Sequence, residues 1–252
     1  MRPLLLATAL LAALPVAPAA AKARQAAPPL RADVPTCRTG ATSAERFAVF
    51  TGSMPARSGT ARMAMRFTLE VRGPGDRGYQ AVKAPSFDRW ERSKSKRRGF
   101  IYSKRVDGLQ APARYRAVVR YRWYAADGSV LANARRTTPL CTQPDPRPNL
   151  RLLALRATAG PAPGTFTYLL TVVNSGRGPA AAFAVSAGPD DGGEAATVTV
   201  GGLAAREARV IEVPARACPA GTRVRVQLDV LAAITESSEA DNDVRRSCPA
   251  PG

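Results

Sequence analysis

Apolar and polar residues alternate in two long stretches of the first half of the chain. RMAMRFTLEVR places Met63, Met65, Phe67, Leu69 and Val71 on one side. RYRAVVRYRWY places Tyr115, Ala117, Val119, Tyr121 and Trp123 on one side and Arg114, Arg116, Arg120 and Arg122 on the other. A period of two marks a half-buried strand, because successive side chains of an extended chain point to opposite faces. The turn signal AADGS (125–129) then leads into a further strand, VLANARRT. The second half repeats the scheme. TFTYLLTVVNSG sets Phe166, Tyr168, Leu170 and Val172 on one face. TRVRVQLDV sets Val224, Val226, Leu228 and Val230 inward and Arg223, Arg225, Gln227 and Asp229 outward. No stretch carries the pattern of an amphipathic helix.

Between the halves, TQPDPRPNL (142–150) holds three prolines in nine residues, which stiffen a chain toward an extended spacer. Each half is of a size for one sandwich, and the cadence of short strands and glycine-rich turns in the second suits seven strands. In the first, Leu109, Pro112 and Tyr115 of LQAPARY resemble the tyrosine corner of immunoglobulin-like sandwiches, where a tyrosine ties back to the preceding loop. The expected fold is all-β: two immunoglobulin-like β-sandwich domains in tandem after a signal peptide. The expected divisions are a signal peptide at 1–23, a lead-in at 24–36, a first sandwich at 37–141, a linker at 142–149 and a second sandwich at 150–248.

The signal-peptide reading rests on Arg2, the apolar run from Leu4 to Leu14 and small residues ending in Ala-x-Ala at Ala21 or Ala23. The run is shorter than the ~20 residues a bilayer span needs. An uncleaved anchor is the alternative. No later run is long enough to cross a membrane, so the mature chain is expected outside the cytoplasm, secreted or associated with the cell surface. Cys37, Cys141, Cys218 and Cys248 then read as disulfides of an oxidising compartment. Of the three pairings, Cys37–Cys141 and Cys218–Cys248 keep each bridge within one half. The second follows from antiparallel neighbouring strands. The first requires Cys37 to lie in a lead-in segment that folds back toward Cys141.

Charge divides unevenly. Residues 24–146 hold 24 basic and 9 acidic groups, a net of +15, and residues 147–252 hold 11 and 10, a net of +1. A partner that needs positive charge belongs with the first half. The sharpest local feature is RSKSKRRGFIYSKR (92–105), with seven positive charges and no acid. Together with the strand arginines it defines a candidate surface for an anionic ligand: Arg92, Lys94, Lys96, Arg97, Arg98, Lys104, Arg105, Arg114, Arg116, Arg120 and Arg122. The interleaved Phe100 and Tyr102 would suit nucleic acid. Export argues against that as a normal partner and favours an anionic envelope polymer or another surface protein. A solubilising surface set by composition is the bland alternative.

The chain contains no histidine, which removes the base of Ser/His/Asp and Cys/His hydrolysis. It has no phosphate loop or dinucleotide fingerprint, and nothing calls for a cofactor. A pair of carboxylates for glycoside cleavage stays formally open. The region 73–98 contains Tyr79, Phe87 and Trp90; it reads as a middle strand with Phe87 and Trp90 in the core, or else as an aromatic platform for sugar. ITESSEADND (234–243) packs four acids into ten residues. It reads as a solvated turn between the last two strands, with its acids dispensable and the final strand beginning at Asp243. Weak calcium binding by Glu236, Glu239, Asp241 and Asp243 is the rival.

Four segments of the second half carry a family resemblance. PNL (148–150), LTVVNSGRGPA with Asn174, Gly176 and Gly178, GGLAAREARVIEV, and VQLDVLAAITESSEADND fall in the order seen in the bacterial CARDB domain, named for its relation to cell adhesion. The resemblance covers about residues 148–247 and implies a β-sandwich module of adhesive or binding character. Ser238 and Asp241 stand where the family usually has asparagine. The sequence as a whole points to an exported, non-catalytic binding or adhesion module, with an accessory or catalytic module acting on wall glycans as the alternative.

Overall fold

The computed structural model describes residues 26–252; the expected signal peptide lies outside the described residues. Sixteen antiparallel strands and one short 3-10 turn (Ser43–Glu45) form the regular structure, with no α-helix among the described residues. The first nine are β1 (Arg31–Arg38), β2 (Phe47–Pro55), β3 (Arg62–Arg72), β4 (Gln80–Val82), β5 (Trp90–Arg92), β6 (Gly99–Asp107), β7 (Ala113–Tyr124), β8 (Val130–Thr137) and β9 (Cys141–Gln143). One sheet runs β1-β2-β6. The other runs β4-β3-β7-β8, with β5 added to β3 and β9 to β7. Their inner faces bury Phe50 and Met54 of β2 against Met63, Met65, Phe67 and Leu69 of β3 and Ala117, Val119, Tyr121 and Trp123 of β7. Full burial of each large side chain contributes roughly 1.5–3 kcal/mol. The period-two pattern in β3 and β7 therefore reads correctly. Tyr115 makes the expected tie: its hydroxyl accepts from the Gln110 amide at 2.8 Å and donates to the Gln110 carbonyl at 3.1 Å.

The remaining strands are β10 (Leu150–Ala159), β11 (Thr165–Asn174), β12 (Phe183–Pro189), β13 (Ala196–Val200), β14 (Ala208–Arg216), β15 (Arg223–Leu228) and β16 (Asp243–Ser247). They form sheets β10-β11-β14 and β13-β12-β15-β16 around a second core, with Tyr168, Leu170, Val172, Val185, Val213, Val224 and Val226 at its centre. This core shares no residue with the first. Asn174 is a hub between strand ends. Its Oδ1 accepts from the Asn149 and Gly176 amides, and its Nδ2 donates to the carbonyls of Gly178, Leu203 and Ala204. Gly176 is required beside it, because a Cβ there would sit 2.4 Å from the Asn149 amide nitrogen.

Both disulfides form as expected, Cys37–Cys141 and Cys218–Cys248, with Cα separations of 5.4 and 5.8 Å. The route to the first differs from expectation. Cys37 lies in a true strand, β1, and not in a lead-in. Pro35 disguised it; the register of β1 on β2 slips between Asp33 and Thr36, and this edge-strand irregularity is where a proline is tolerated.

The acidic stretch also departs from the reading of a dispensable turn. β15 ends at Leu228. Asp229, expected outward, is buried and caps the following loop, its carboxylate accepting from the amides of Ala233 and Ile234. Glu236 is 2% exposed. One of its oxygens accepts from the Leu150 amide at the start of β10, the other from Asn242 Nδ2 at 2.8 Å. Glu239 accepts from the Glu236 amide and from Asn242, and Asp241 accepts from Asn149 Nδ2. The acids tie the last loop to the first strand of this core. β16 does begin at Asp243.

Candidate anionic-ligand interface

Because Met63, Met65, Phe67 and Leu69 of β3 point inward, Arg62, Arg66 and Arg72 point outward, and the same parity on β7 exposes Arg114, Arg116, Arg120 and Arg122. The register joins them. Arg66 lies opposite Arg120, which lies opposite Arg135 of β8, so three arginines form one row across three strands. Trp90 of β5 extends that row beyond Arg66. The next row is Arg92–Ala64–Arg122–Asn133, and others hold Arg72 with Arg114 and Arg62 with Tyr124. Nine arginines thus share one outer face. Rows within a sheet are set by the ~4.8 Å strand spacing, and like-facing residues along a strand by ~6.6–6.8 Å.

Two acids answer them. Glu70 pairs with Arg116 at 2.7 Å, and Asp88 touches Arg66 at 3.4 Å while accepting from Thr68 Oγ1 at 2.6 Å. Among the described residues, Arg62, Arg92, Arg114, Arg120, Arg122 and Arg135 have no carboxylate within ion-pair distance. The face relies on aromatic rings instead. The Arg122 guanidinium lies over the Trp90 ring at 4.3 Å, and Arg116 lies over Tyr79 at 3.8 Å. Such stacking favours the cation and fixes the plane of the guanidinium.

The structure sorts the eleven arginines and lysines singled out in the sequence. Arg92, Arg114, Arg116, Arg120 and Arg122 are on this face. Lys94, Lys96, Arg97 and Arg98 are exposed in the β5–β6 connection, which the Lys96 amide ties to the Ala61 carbonyl at 3.0 Å, beside Arg62. Lys104 and Arg105 do not belong to the surface. Lys104 faces inward on β6 opposite Phe50, is 4% exposed, and pairs with Glu91 of β5, joining the two sheets at their margin. Arg105 lies on the outer side of the other sheet, stacked on Phe47 at 3.6 Å and paired with Asp107 at 2.7 Å, whose carboxylate raises the guanidinium's pKa. Trp90, read as core, faces outward because β5 pairs it with Arg66; Phe87 is core and meets Phe50 edge-on.

Arg62, Arg66, Arg72 and Arg135 were missed. The first three were visible as the polar half of the β3 alternation; Arg135 needed the β7–β8 register. Two hollows open on the middle of the face, of about 410 Å³ lined by Arg62, Arg92, Ser95 and Tyr124, and about 270 Å³ lined by Trp90, Arg120, Arg122, Asn133 and Arg135; a third, of about 340 Å³, opens at its end beside Arg72, Arg114 and Asp76. A larger one, of about 570 Å³, lies beside Asp191, whose carboxyl is held below the usual range chiefly by Arg216. Among the described residues, no three His, Cys, Asp or Glu groups gather as metal ligands, and no helix is long and apolar enough to cross a membrane.

No family model and no curated protein matches this chain. Among solved structures it is similar to a chain from a chaperone–tip adhesin complex of CFA/I fimbriae biogenesis, at 10% identity and a TM-score of 0.26, over 88% of this chain and 100% of that one. It is also similar to red sea bream transglutaminase, at 9% identity and a TM-score of 0.30, over 79% of this chain and 29% of that one. Neither likeness carries a functional argument.

Proposed function

We propose that the protein is an exported, non-catalytic binding module whose first β-sandwich captures an anionic polymer or surface on its arginine face, the second being a CARDB-like module. The observation that carries this reading is the row Arg66–Arg120–Arg135, three like charges held side by side by strand register. Like charges this close repel, and only counterions or an anionic partner relieve them. The two hollows in the middle of the face are lined by arginine, aromatic, hydroxyl and amide groups, and the one at its end by a single carboxylate, Asp76, so none offers the pair that glycan cleavage needs, which supports binding. Closed disulfides with no free cysteine support an oxidising compartment. The Asn174 hub and Gly176 support the CARDB resemblance, since they hold together the strand ends that its motifs span.

The test compares two variants of equal net charge. Arg120→Glu with Arg135→Glu should lower affinity for polyanion at least tenfold at ~0.15 M salt and flatten its salt dependence. Arg156→Glu with Arg246→Glu, on exposed strands of the second core, should leave affinity within about twofold of the unaltered chain. Equal losses in both would reduce the face to bulk charge.

A further inference from the structure

We infer that the ligand of this face is an acidic glycan, whose sugar rings occupy two neighbouring seats, rather than a ring-free phosphate chain. This rests on the anion-binding reading above and specifies its substrate class. A flexible phosphate string asks only for a charged surface. A sugar ring asks for a concave wall, an apolar plane and neutral hydrogen-bonding groups beside the charge. The face offers these together.

One row, Arg92–Ala64–Arg122–Asn133, serves both hollows: the larger is lined by Arg92 and the smaller by Arg122 and Asn133. The larger adds Tyr124, Ser95, Ala61, Ala125 and Ala126, an aromatic wall with a hydroxyl and small side chains that leave room. The smaller adds Trp90 and Ala134 beside Arg120 and Arg135. Asn133 brings an amide that both donates and accepts. Arg122, which lines the smaller hollow and shares its row with Arg92 of the larger, is the anchor. Its guanidinium lies over Trp90, so its plane is set before the ligand arrives, and no carboxylate of the described chain pairs with it. A pre-set planar fork is suited to a carboxylate or sulfate on a ring, which it meets through two parallel N–H bonds. Preorganisation of this kind raises affinity by reducing what ordering costs on binding.

The full chain would be titrated calorimetrically at ~0.15 M salt with oligogalacturonate, a sulfated dextran oligosaccharide, neutral dextran and linear polyphosphate of matched charge. The expected result is that at least one acidic glycan binds tenfold or more tighter than polyphosphate, with the better of the two identifying carboxylate or sulfate as the preferred group. Trp90→Leu and Asn133→Ala, which leave net charge unchanged, should each shift the glycan-to-polyphosphate affinity ratio about tenfold toward polyphosphate. Polyphosphate binding as tightly as both glycans, a ratio unmoved by either variant, or neutral dextran binding as well as the acidic glycans would overturn the glycan assignment. In the first two cases the anionic face itself survives; failure of every polyanion to bind removes both.

Discussion

Replacing Glu236 with alanine should destabilise the second core by about 2–4 kcal/mol. Glu236 is buried, and its two oxygens take the Leu150 amide and Asn242 Nδ2. Leu150 is itself fully buried, so its amide would be left without a partner or water, at a cost of about 1–3 kcal/mol. Asn242 keeps a bond to Glu239 at 3.0 Å and loses less. Loss of a bond to a charged acceptor adds the remainder. Glu236→Gln keeps one acceptor but turns its own amide toward one of the two donors, so it should lie between the wild type and alanine. Urea unfolding followed by far-UV circular dichroism is the assay; with a slope of ~1–3 kcal/mol per molar, the midpoint for alanine should fall by about 0.7–4 M. Trp90 and Trp123 are the only tryptophans and both lie in the first half, so indole fluorescence reports the other core in the same samples. The pH dependence has a sign. Burial is the main cause that raises the Glu236 pKa above 4.5, so the folded state binds the proton more tightly than the unfolded one. Ionisation therefore costs stability as pH rises through the folded value, and the wild type should gain on Glu236→Gln as pH falls toward 4.5. An alanine variant within ~0.5 kcal/mol of wild type, the range of ordinary surface substitutions, would refute the role given to this loop.

Arg120→Gln should stabilise the ligand-free chain by about 1 kcal/mol at low salt, because each row neighbour at the ~4.8 Å strand spacing costs up to about 0.9 kcal/mol in water, and the gain should fade near 1 M salt where the screening length is ~3 Å; destabilisation at low salt in a thermal melt would count against the repulsive row. Lys104→Met together with Glu91→Leu should leave stability nearly unchanged or raise it, whereas Glu91→Ala alone, which strands the buried ammonium, should cost about 3 kcal/mol or more by urea titration. Removing Cys37–Cys141 should cost up to about 4.7 kcal/mol and removing Cys218–Cys248 somewhat less, since the first closes the longer loop; denaturant midpoints of the two Cys→Ser pairs check the order.

The strands that could be read from sequence are those whose inner face repeats without interruption. Met63 to Val71 and Tyr115 to Trp123 bury every second residue, and the Cys218–Cys248 pairing followed from where neighbouring strands end. β1 escaped because Pro35 mimics the end of a strand, yet a register slip on a sheet edge absorbs it. Lys104 and Trp90 were misplaced for a related reason: facing is fixed by pairing partners, and neither short β5 nor mixed β6 carries an alternation strong enough to declare its register. Glu236 could not be read as buried, because nothing local marks a carboxylate whose donor lies at Leu150, 86 residues away; Asp229 was set outward because the alternation was carried one residue past the end of β15, where its carboxylate turns to the amides of Ala233 and Ile234. The arginine face was half legible. Its members on β7 stand two apart in sequence, but the row through Arg66 and Arg135 exists only once three strands are aligned.

The Cys37–Cys141 bridge has a mechanical meaning. Tension that enters the chain near Cys37 and leaves after Cys141 passes through the covalent sulfur–sulfur link, so the residues enclosed by a separation of 104 are excluded from the load path. The arginine face lies wholly within that sheltered loop. In the second core the bridge spans a separation of only 30, and residues 150–216 remain outside it. Those 67 residues can unravel to roughly 220–240 Å at ~3.3–3.6 Å each. Under pulling, the second half would lengthen while the strands of the arginine face keep their register.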